Sequence, residues 1–210
     1  MPSAVEQDVP SPIDLRTMRD ASAWAAEVST KRPWRQAFFD AFVRELLSLS
    51  DKGASILEIG SGPGFLAQHL LGALRLKRYT ALDFSDAMHA LARQRLGPAG
   101  GSVEFITRDF LSPAWTSDLP QYTAIVTLQA IHELRHKRKA PILYSQILTR
   151  LLSDGIFLVC DHYCGDGGMS DTSLFMSEAE HVEALTRGGF EDVVCIHKEG
   201  GMVLYRATPA

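Results

Sequence analysis

Residues 54–71 read A-S-I-L-E-I-G-S-G-P-G-F-L-A-Q-H-L-L, and the fold turns on how this stretch is parsed. The apolar run Ile56, Leu57, Glu58, Ile59 meets three glycines spaced two apart, Gly60, Gly62 and Gly64; Phe65, Leu66, His69 and Leu70 then fall at helical spacing. The parse is strand, tight glycine loop, helix. Glycine permits positive φ and removes the Cβ that would hold a ligand off the backbone. The first helical turn beyond it has N–H groups without intrahelical partners, which suit a carboxylate, hydroxyl or phosphate. The dinucleotide fingerprint G-x-G-x-x-G/A needs Gly or Ala three positions after Gly62, where this chain has Phe65. No G-K-S/T follows the glycines, so a P-loop is excluded.

The chain around this loop is long enough for one sizeable core and little more: 210 residues, 46% hydrophobic. With 21 basic and 25 acidic residues the net charge is -4, which gives no general attraction to nucleic acid or to an anionic membrane. A small-molecule partner is the expectation. No run of about 18 apolar residues occurs, and the start M-P-S-A-V-E-Q-D is too acidic and polar for a signal peptide. The expected compartment is cytoplasmic. Cys160, Cys164 and Cys195 are too few, and odd in number, for a disulfide framework.

Upstream, Pro2, Pro10 and Pro12 among polar residues make 1–12 read as a poorly ordered tail. Two helical patterns follow, about 16–29 and 33–49, the second opening at Pro33. Because 13–50 precede the first strand, they belong to no βαβ unit and must cap the sheet or cover its ligand.

Downstream, 79–83 form a short strand ending in Asp83, nineteen residues beyond Gly64. A carboxylate at such a tip can accept hydrogen bonds from both hydroxyls of a ribose. Strands are expected at 103–106, leading to Asp109 and Phe110, and at 122–127, leading to His132. Another at 156–160 leads to Asp161, His162 and Tyr163. In open α/β sheets ligands sit beyond the carboxyl ends of the strands, so His132 falls near the ligand crevice. The Gly-rich segment after Tyr163 is where a ligand-binding loop would lie. Between these strands, 135–139 is a dense basic run read as a solvated helix start, and 141–152 an amphipathic helix ended by Asp154-Gly155. Cys160, His162 and Cys164 alternate as if on one strand face, but no fourth ligand is spaced to complete a zinc site, and no metal is expected. A last helix begins at Ser177 and stops at Gly188-Gly189, before strands at 190–196 and 202–206.

E-I-G-S-G-P-G resembles motif I, E/D-x-G-x-G-x-G, of the class I methyltransferases that use S-adenosylmethionine. Residues 83–93, D-F-S-D-A-M-H-A-L-A-R, resemble that family's D-x-S-x-x-M-L-x-x-A-R. L-Q-A-I-H-E-L at 128–134 resembles its A-L-H-H-L segment, and the closing G-F and hairpin resemble its C-terminal signature. The likeness covers about 54–206. It implies an α/β fold: a seven-stranded, mostly parallel, doubly wound sheet of order 3-2-1-4-5-7-6, strand seven antiparallel, with an N-terminal helical lid at 13–50 on a Rossmann-like domain at 51–210. It also implies the cofactor. Glu58, Gly60, Ser61, Gly62 and Gly64 would surround its methionine and ribose end, Asp83 its ribose hydroxyls, and Phe84 and Met88 the adenine faces. Asp109 would receive the adenine amine, the Phe110 backbone a ring nitrogen, and Leu128 would lie close by.

The same resemblance turns Trp24, Arg32, Trp34 and Arg35 of the lid toward cofactor or acceptor, with Gln129 and Tyr163 on the acceptor side. The implied reaction is in-line transfer of a methyl group to a small molecule. A hydroxyl acceptor needs a base, and His132 or His162 has a suitable ordinary pKa; an amine, thiol or carboxylate needs none. Three other readings stand beside it: a catalytically silent cofactor-binding protein, an NAD-dependent oxidoreductase and an RNA methyltransferase. Phe65 and the closing hairpin oppose the oxidoreductase. The negative charge, and T-L-Q-A where an N/D-P-P-Y/F tetrapeptide would stand, oppose the RNA enzyme. A monomer or homodimer is expected.

Overall fold

A computed structural model of the chain describes residues 7–210; residues 1–6 of the expected tail lie outside the described residues. Seven strands form one sheet in the order β3-β2-β1-β4-β5-β7-β6. They are β1 Ser55–Ile59, β2 Arg78–Asp83, β3 Val103–Thr107, β4 Tyr122–Leu128, β5 Leu151–His162, β6 Phe190–Glu199 and β7 Met202–Pro209. The first five run parallel, and β7 is antiparallel to both its neighbours. This is the order that the resemblance implies. The helices are α1 Met18–Lys31, α2 Arg35–Ser50, α3 Phe65–Ala73, α4 Asp86–Leu96, α5 Ala140–Leu148 and α6 Glu178–Arg187.

Strand side chains alternate between the two faces, and both faces are buried because helices cover each. On one face Leu57, Ile125, Phe157 and Tyr205 pack with Tyr144 and Ile147 of α5 and Leu185 of α6. On the other, Ile56, Val126, Leu158 and Leu204 pack with Phe38, Phe42 and Leu46 of α2 and with Leu66 and Leu70 of α3. The helix starts are set locally. Thr17 caps α1 by accepting the Asp20 N–H at 3.3 Å, and Ser177 and Glu180 form a reciprocal capping box at α6. α1 lies against α4, where Ala21 packs with Ala87 and Met88, and this sets it over the strand tips.

Three boundaries differ from expectation, each for a local reason. α5 ends at Leu148, and Leu151 already opens β5, so Asp154 and Gly155 sit inside the strand as an irregularity. The carbonyl of Arg150 accepts the Tyr122 N–H at 2.8 Å, which draws the chain out of the helix while its apolar spacing continues. α2 begins after Pro33 rather than at it. The expected tail is tied down from Asp8: Val9 exchanges backbone and side-chain hydrogen bonds with Arg135, and Asp8 meets Lys139 at 2.6 Å.

Trp34 joins the N-terminal helices to the far hairpin. A Cβ on Gly200, whose φ is +55°, would stand 2.3 Å from the Trp34 ring. Gly200→Ala should therefore cost about 2–4 kcal/mol, by combining an unfavourable left-handed residue with overpacking. The check is urea unfolding, with a lowered midpoint at unchanged m-value.

Candidate functional site

The carboxyl ends of β1, β2, β4 and β5 open into a cavity of about 360 Å³ roofed by α1 and residues 11–15. Its floor is the glycine loop. Gly60 has φ +66°, and a Cβ there would lie 2.3 Å from the Ala130 Cβ, so the β1 and β4 tips meet only because that atom is missing. The N–H groups of Gly60 and Ser61 donate to the Leu82 carbonyl at 2.8 and 3.0 Å, and that of Gly62 to Asp83 Oδ2 at 2.8 Å. The loop spends these donors on β2, so its contribution to a ligand is shape. Asp83 Oδ1 accepts the Ser85 N–H at 2.9 Å, and burial raises the Asp83 pKa to about 6 against the opposing pull of these N–H groups. Asp83 also lines the cavity.

Glu58, Gly60, Ser61, Gly62, Asp83, Phe84, Met88, Phe110 and Leu128 all line this one cavity. Gly64 and Asp109 do not. Gly64 packs on Ala92 at the start of α3. Asp109 borders an adjoining hollow, where its carboxylate accepts the Leu111 N–H at 2.9 Å and pairs with Arg16 at 3.2 Å. The two expected carboxylates thus occupy neighbouring hollows that share Phe84 and Phe110.

Arg35, expected on the acceptor side, is 5% exposed and lines the cavity beside the loop. Its guanidinium lies 5.8, 5.3 and 5.2 Å from the ring centroids of Trp24, Phe39 and Phe65. Burial, then the charge of Arg32, lower its pKa to about 10, so it stays cationic at neutral pH. Its Nε and Nη1 have no partner, and neither has the buried Ser61 Oγ. A buried guanidinium with two idle donors is built for an anion. Nearby, Glu58 accepts the Tyr79 hydroxyl at 2.6 Å, and burial pushes its pKa up to about 8.

The acceptor end is a histidine pair. His132 lies in a short 3₁₀ turn after β4, and its Nδ1 lies 2.7 Å from Oδ1 of Asp161, the penultimate residue of β5. The other Asp161 oxygen accepts the His132 N–H at 2.8 Å. Burial opposes ionisation of both partners, yet their mutual attraction wins: the Asp161 pKa falls to about 2 and that of His132 rises above its ordinary value. His162, by contrast, is lowered to about 4 by burial and is neutral. Its Nε2 lies 2.9 Å from the Gln129 amide nitrogen and its Nδ1 3.3 Å from the Gly201 carbonyl, so both of its nitrogens are engaged. Gln129 takes up a left-handed φ of +57° at the β4 tip, a local strain common at working sites.

Trp24 and Gln129 line the cavity. Trp34 lines only an adjoining hollow, beside Arg32 and His162. Tyr163 lines neither; its hydroxyl donates to the Asp166 carbonyl at 3.1 Å and holds the following loop. Among the described residues no His, Cys, Asp and Glu cluster could hold a metal, and no helix is long and apolar enough to cross a membrane. The basic run is no solvated helix start. Arg135 binds the carbonyls of Val9 and Pro10 at 2.7 and 2.8 Å, and Lys137 meets Glu180 at 2.5 Å. The run clasps residues 8–10, and Ser85 Oγ donates to the Leu15 carbonyl at 2.6 Å further along the same segment.

A family model described as a methyltransferase domain matches residues 56–155. The fold matches solved S-adenosylmethionine-dependent methyltransferases across most of the chain. A DhpI–SAH complex has TM-score 0.68 and 23% identity, over 92% of this chain and 95% of that one. The chain has the fold of the class I S-adenosylmethionine-dependent methyltransferases, and its residues 56–155 resemble a methyltransferase domain. Magnesium protoporphyrin IX methyltransferase (ChlM) from Synechocystis PCC 6803, with bound SAM, gives 0.63 and 17%, over 84% and 80%. A S-adenosylmethionine-dependent methyltransferase from Clostridium acetobutylicum ATCC 824 gives 0.70 and 12%, over 90% and 99%. Comparison with curated proteins returned no match.

The lining of this cavity fits S-adenosylmethionine: Arg35 would offer an unpartnered cation to the methionine carboxylate, Ser61 an idle hydroxyl, Asp83 acceptors to a ribose, and Phe84, Met88 and Phe110 apolar flanks to a base. Sequence reasoning missed Glu133, Phe175 and the strap at 11–15 among the lining residues, and the bond from Tyr79 to Glu58. No motif marks them. Asp161, at a strand tip next to His162, was within reach as the partner of His132.

Asp83→Ala should weaken cofactor binding by more than tenfold in isothermal titration, since a buried ribose then loses its charged acceptor. Glu58 has a pKa above its ordinary value in the folded protein, so between about pH 4.5 and 8 the folded state binds the extra proton and stability falls as pH rises. Glu58→Gln removes that dependence. Its thermal midpoint relative to the unaltered protein should climb from pH 6 to pH 9, as read by scanning calorimetry.

Proposed function

We propose that the methyltransferase moves the methyl group of S-adenosylmethionine to a hydroxyl of a small-molecule acceptor, with His132 as general base and Asp161 holding it. The observation that carries this reading is the 2.7 Å contact between buried Asp161 and His132 Nδ1. It makes Nδ1 the protonated nitrogen and leaves Nε2 as the basic one, 3.5 Å from Glu133. His162 has no idle nitrogen and serves to shape the acceptor side together with Gln129.

The bound cofactor supplies an already electrophilic methyl group, so the chain's work is alignment, exclusion of water and removal of one proton. Arg35 and Asp83 hold the two ends of the nucleoside amino acid. The roof of α1 and residues 11–15 keeps water out. His132 Nε2 takes the acceptor's hydroxyl proton as the oxygen attacks, and the Asp161 carboxylate stabilises the imidazolium that results. Small-molecule acceptors are supported by the enclosed cavity and the negative net charge. A cytoplasmic setting is supported by three unpaired cysteines.

A labelled methyl donor incubated with a metabolite extract and read by mass spectrometry should give an O-methylated product. His132→Ala should lower kcat about 100-fold or more, with cofactor affinity kept within about threefold; an unchanged kcat removes His132 from the chemistry. The neutral imidazole is the base, so kcat should rise with pH through a pKa above 6.5. Asp161→Asn removes the charge that raises it, and should shift that limb to lower pH while lowering the plateau.

A further inference from the structure

Each acid lining the cavity is already matched. Glu27 holds Lys31, Glu133 meets Arg135 at 3.4 Å, Asp83 accepts two backbone N–H groups, and Glu58 is bonded to Tyr79. The cations are not balanced in the same way. With Lys31 and Arg135 paired, Arg35 and Arg32 face the cavity without an acid partner among the described residues. Arg35 lies by the glycine loop and is accounted for by the cofactor's carboxylate. Arg32 lies elsewhere.

Arg32 is half-buried just past the end of α1 and borders two spaces, the main cavity and the hollow of about 230 Å³ beyond it. His162 and Met169 border the same two spaces, so Arg32 stands at the passage between them. The hollow is walled by the backbones of Gly167, Gly168, Gly200 and Gly201 and by Trp34, and contains no carboxylate. His162 lies on the side of His132, with ring centroids 5.8 Å apart. A molecule that presents its hydroxyl to His132 and extends past His162 therefore ends at a guanidinium. The cofactor does not neutralise it, because its sulfonium and ammonium outnumber its single carboxylate by one positive charge.

The geometry points to an acceptor that carries an acid group, a carboxylate or a phosphate-type anion, in addition to its hydroxyl, with Arg32 as the anchor of that acid. This rests on the hydroxyl-acceptor reading above and narrows its substrate class. A guanidinium can pair with either anion through two parallel hydrogen bonds, so the two are separated by experiment.

The test uses the full chain saturated with S-adenosylhomocysteine, which occupies Arg35, and titrates three probes of matched shape: 4-hydroxybenzoate, 4-hydroxyphenyl phosphate and 4-hydroxybenzamide. At least one acid should bind tenfold or more tighter than the amide, and which acid does so tells carboxylate from phosphate. Arg32→Met should abolish that preference and Arg32→Lys restore part of it, while S-adenosylhomocysteine affinity stays within about twofold. Equal binding of acids and amide, or an acid preference that survives in Arg32→Met, overturns the proposal. Loss of S-adenosylhomocysteine affinity in Arg32→Met overturns it too, by making Arg32 a cofactor residue. Methyl transfer to the three probes is followed separately. Acid binding through Arg32 without O-methylation refutes the hydroxyl-transfer reading alone, and O-methylation without acid preference refutes the anchor alone.

Discussion

The carboxylate of Asp83 ties three parts of the molecule together. One oxygen takes the Gly62 N–H and the other the Ser85 N–H, so the glycine loop, the tip of β2 and the start of α4 share one anchor. Ser85 in turn caps α4 through the Met88 N–H and reaches the strap through the Leu15 carbonyl. A carboxylate buried to this extent is costly unless its lone pairs are engaged, and here backbone donors engage them. The same group also borders the cavity, because a strand tip is where a side chain meets both the core and the crevice beyond the sheet.

The cavity as a whole holds charges in unequal states of readiness. Glu58 and His162 are kept neutral by burial, and Asp161 is kept ionised by His132. Such divergence between neighbouring groups marks working sites: both nitrogens of His162 are engaged, whereas Asp161 engages one nitrogen of His132. Arg35 completes the pattern as a cation stacked among aromatic rings, which shield it from water without satisfying its N–H groups.

How much of this was legible from the amino acids depended on whether a feature is local. The strand, glycine loop and helix of 54–71, the acid at 83 and the capping box at Ser177 are written in consecutive residues, and the sheet order followed from the family resemblance. Features made by distant segments were not. Lys139 and Arg135 look like a solvated charge run until Asp8, Val9 and Pro10 are placed beside them. Asp109 looks like an adenine acceptor until Arg16 and the Leu111 N–H are seen to occupy it. Tyr163 lies on the expected loop, but its hydroxyl is spent on Asp166. The helical periodicity through Leu151 continued past the true end of α5, because apolar spacing cannot register a carbonyl captured by a neighbouring strand.

The strap over the cavity is fastened by the Asp8–Lys139 pair, the Arg16–Asp109 pair and the Arg135 guanidinium on two carbonyls. Both ion pairs lie near solvent, where dissolved salt screens them, whereas the Asp161–His132 contact beneath is shielded. Ionic strength therefore acts on the door and not on the room behind it: added electrolyte loosens the two outer ion pairs and leaves the contact between Asp161 and His132 in place.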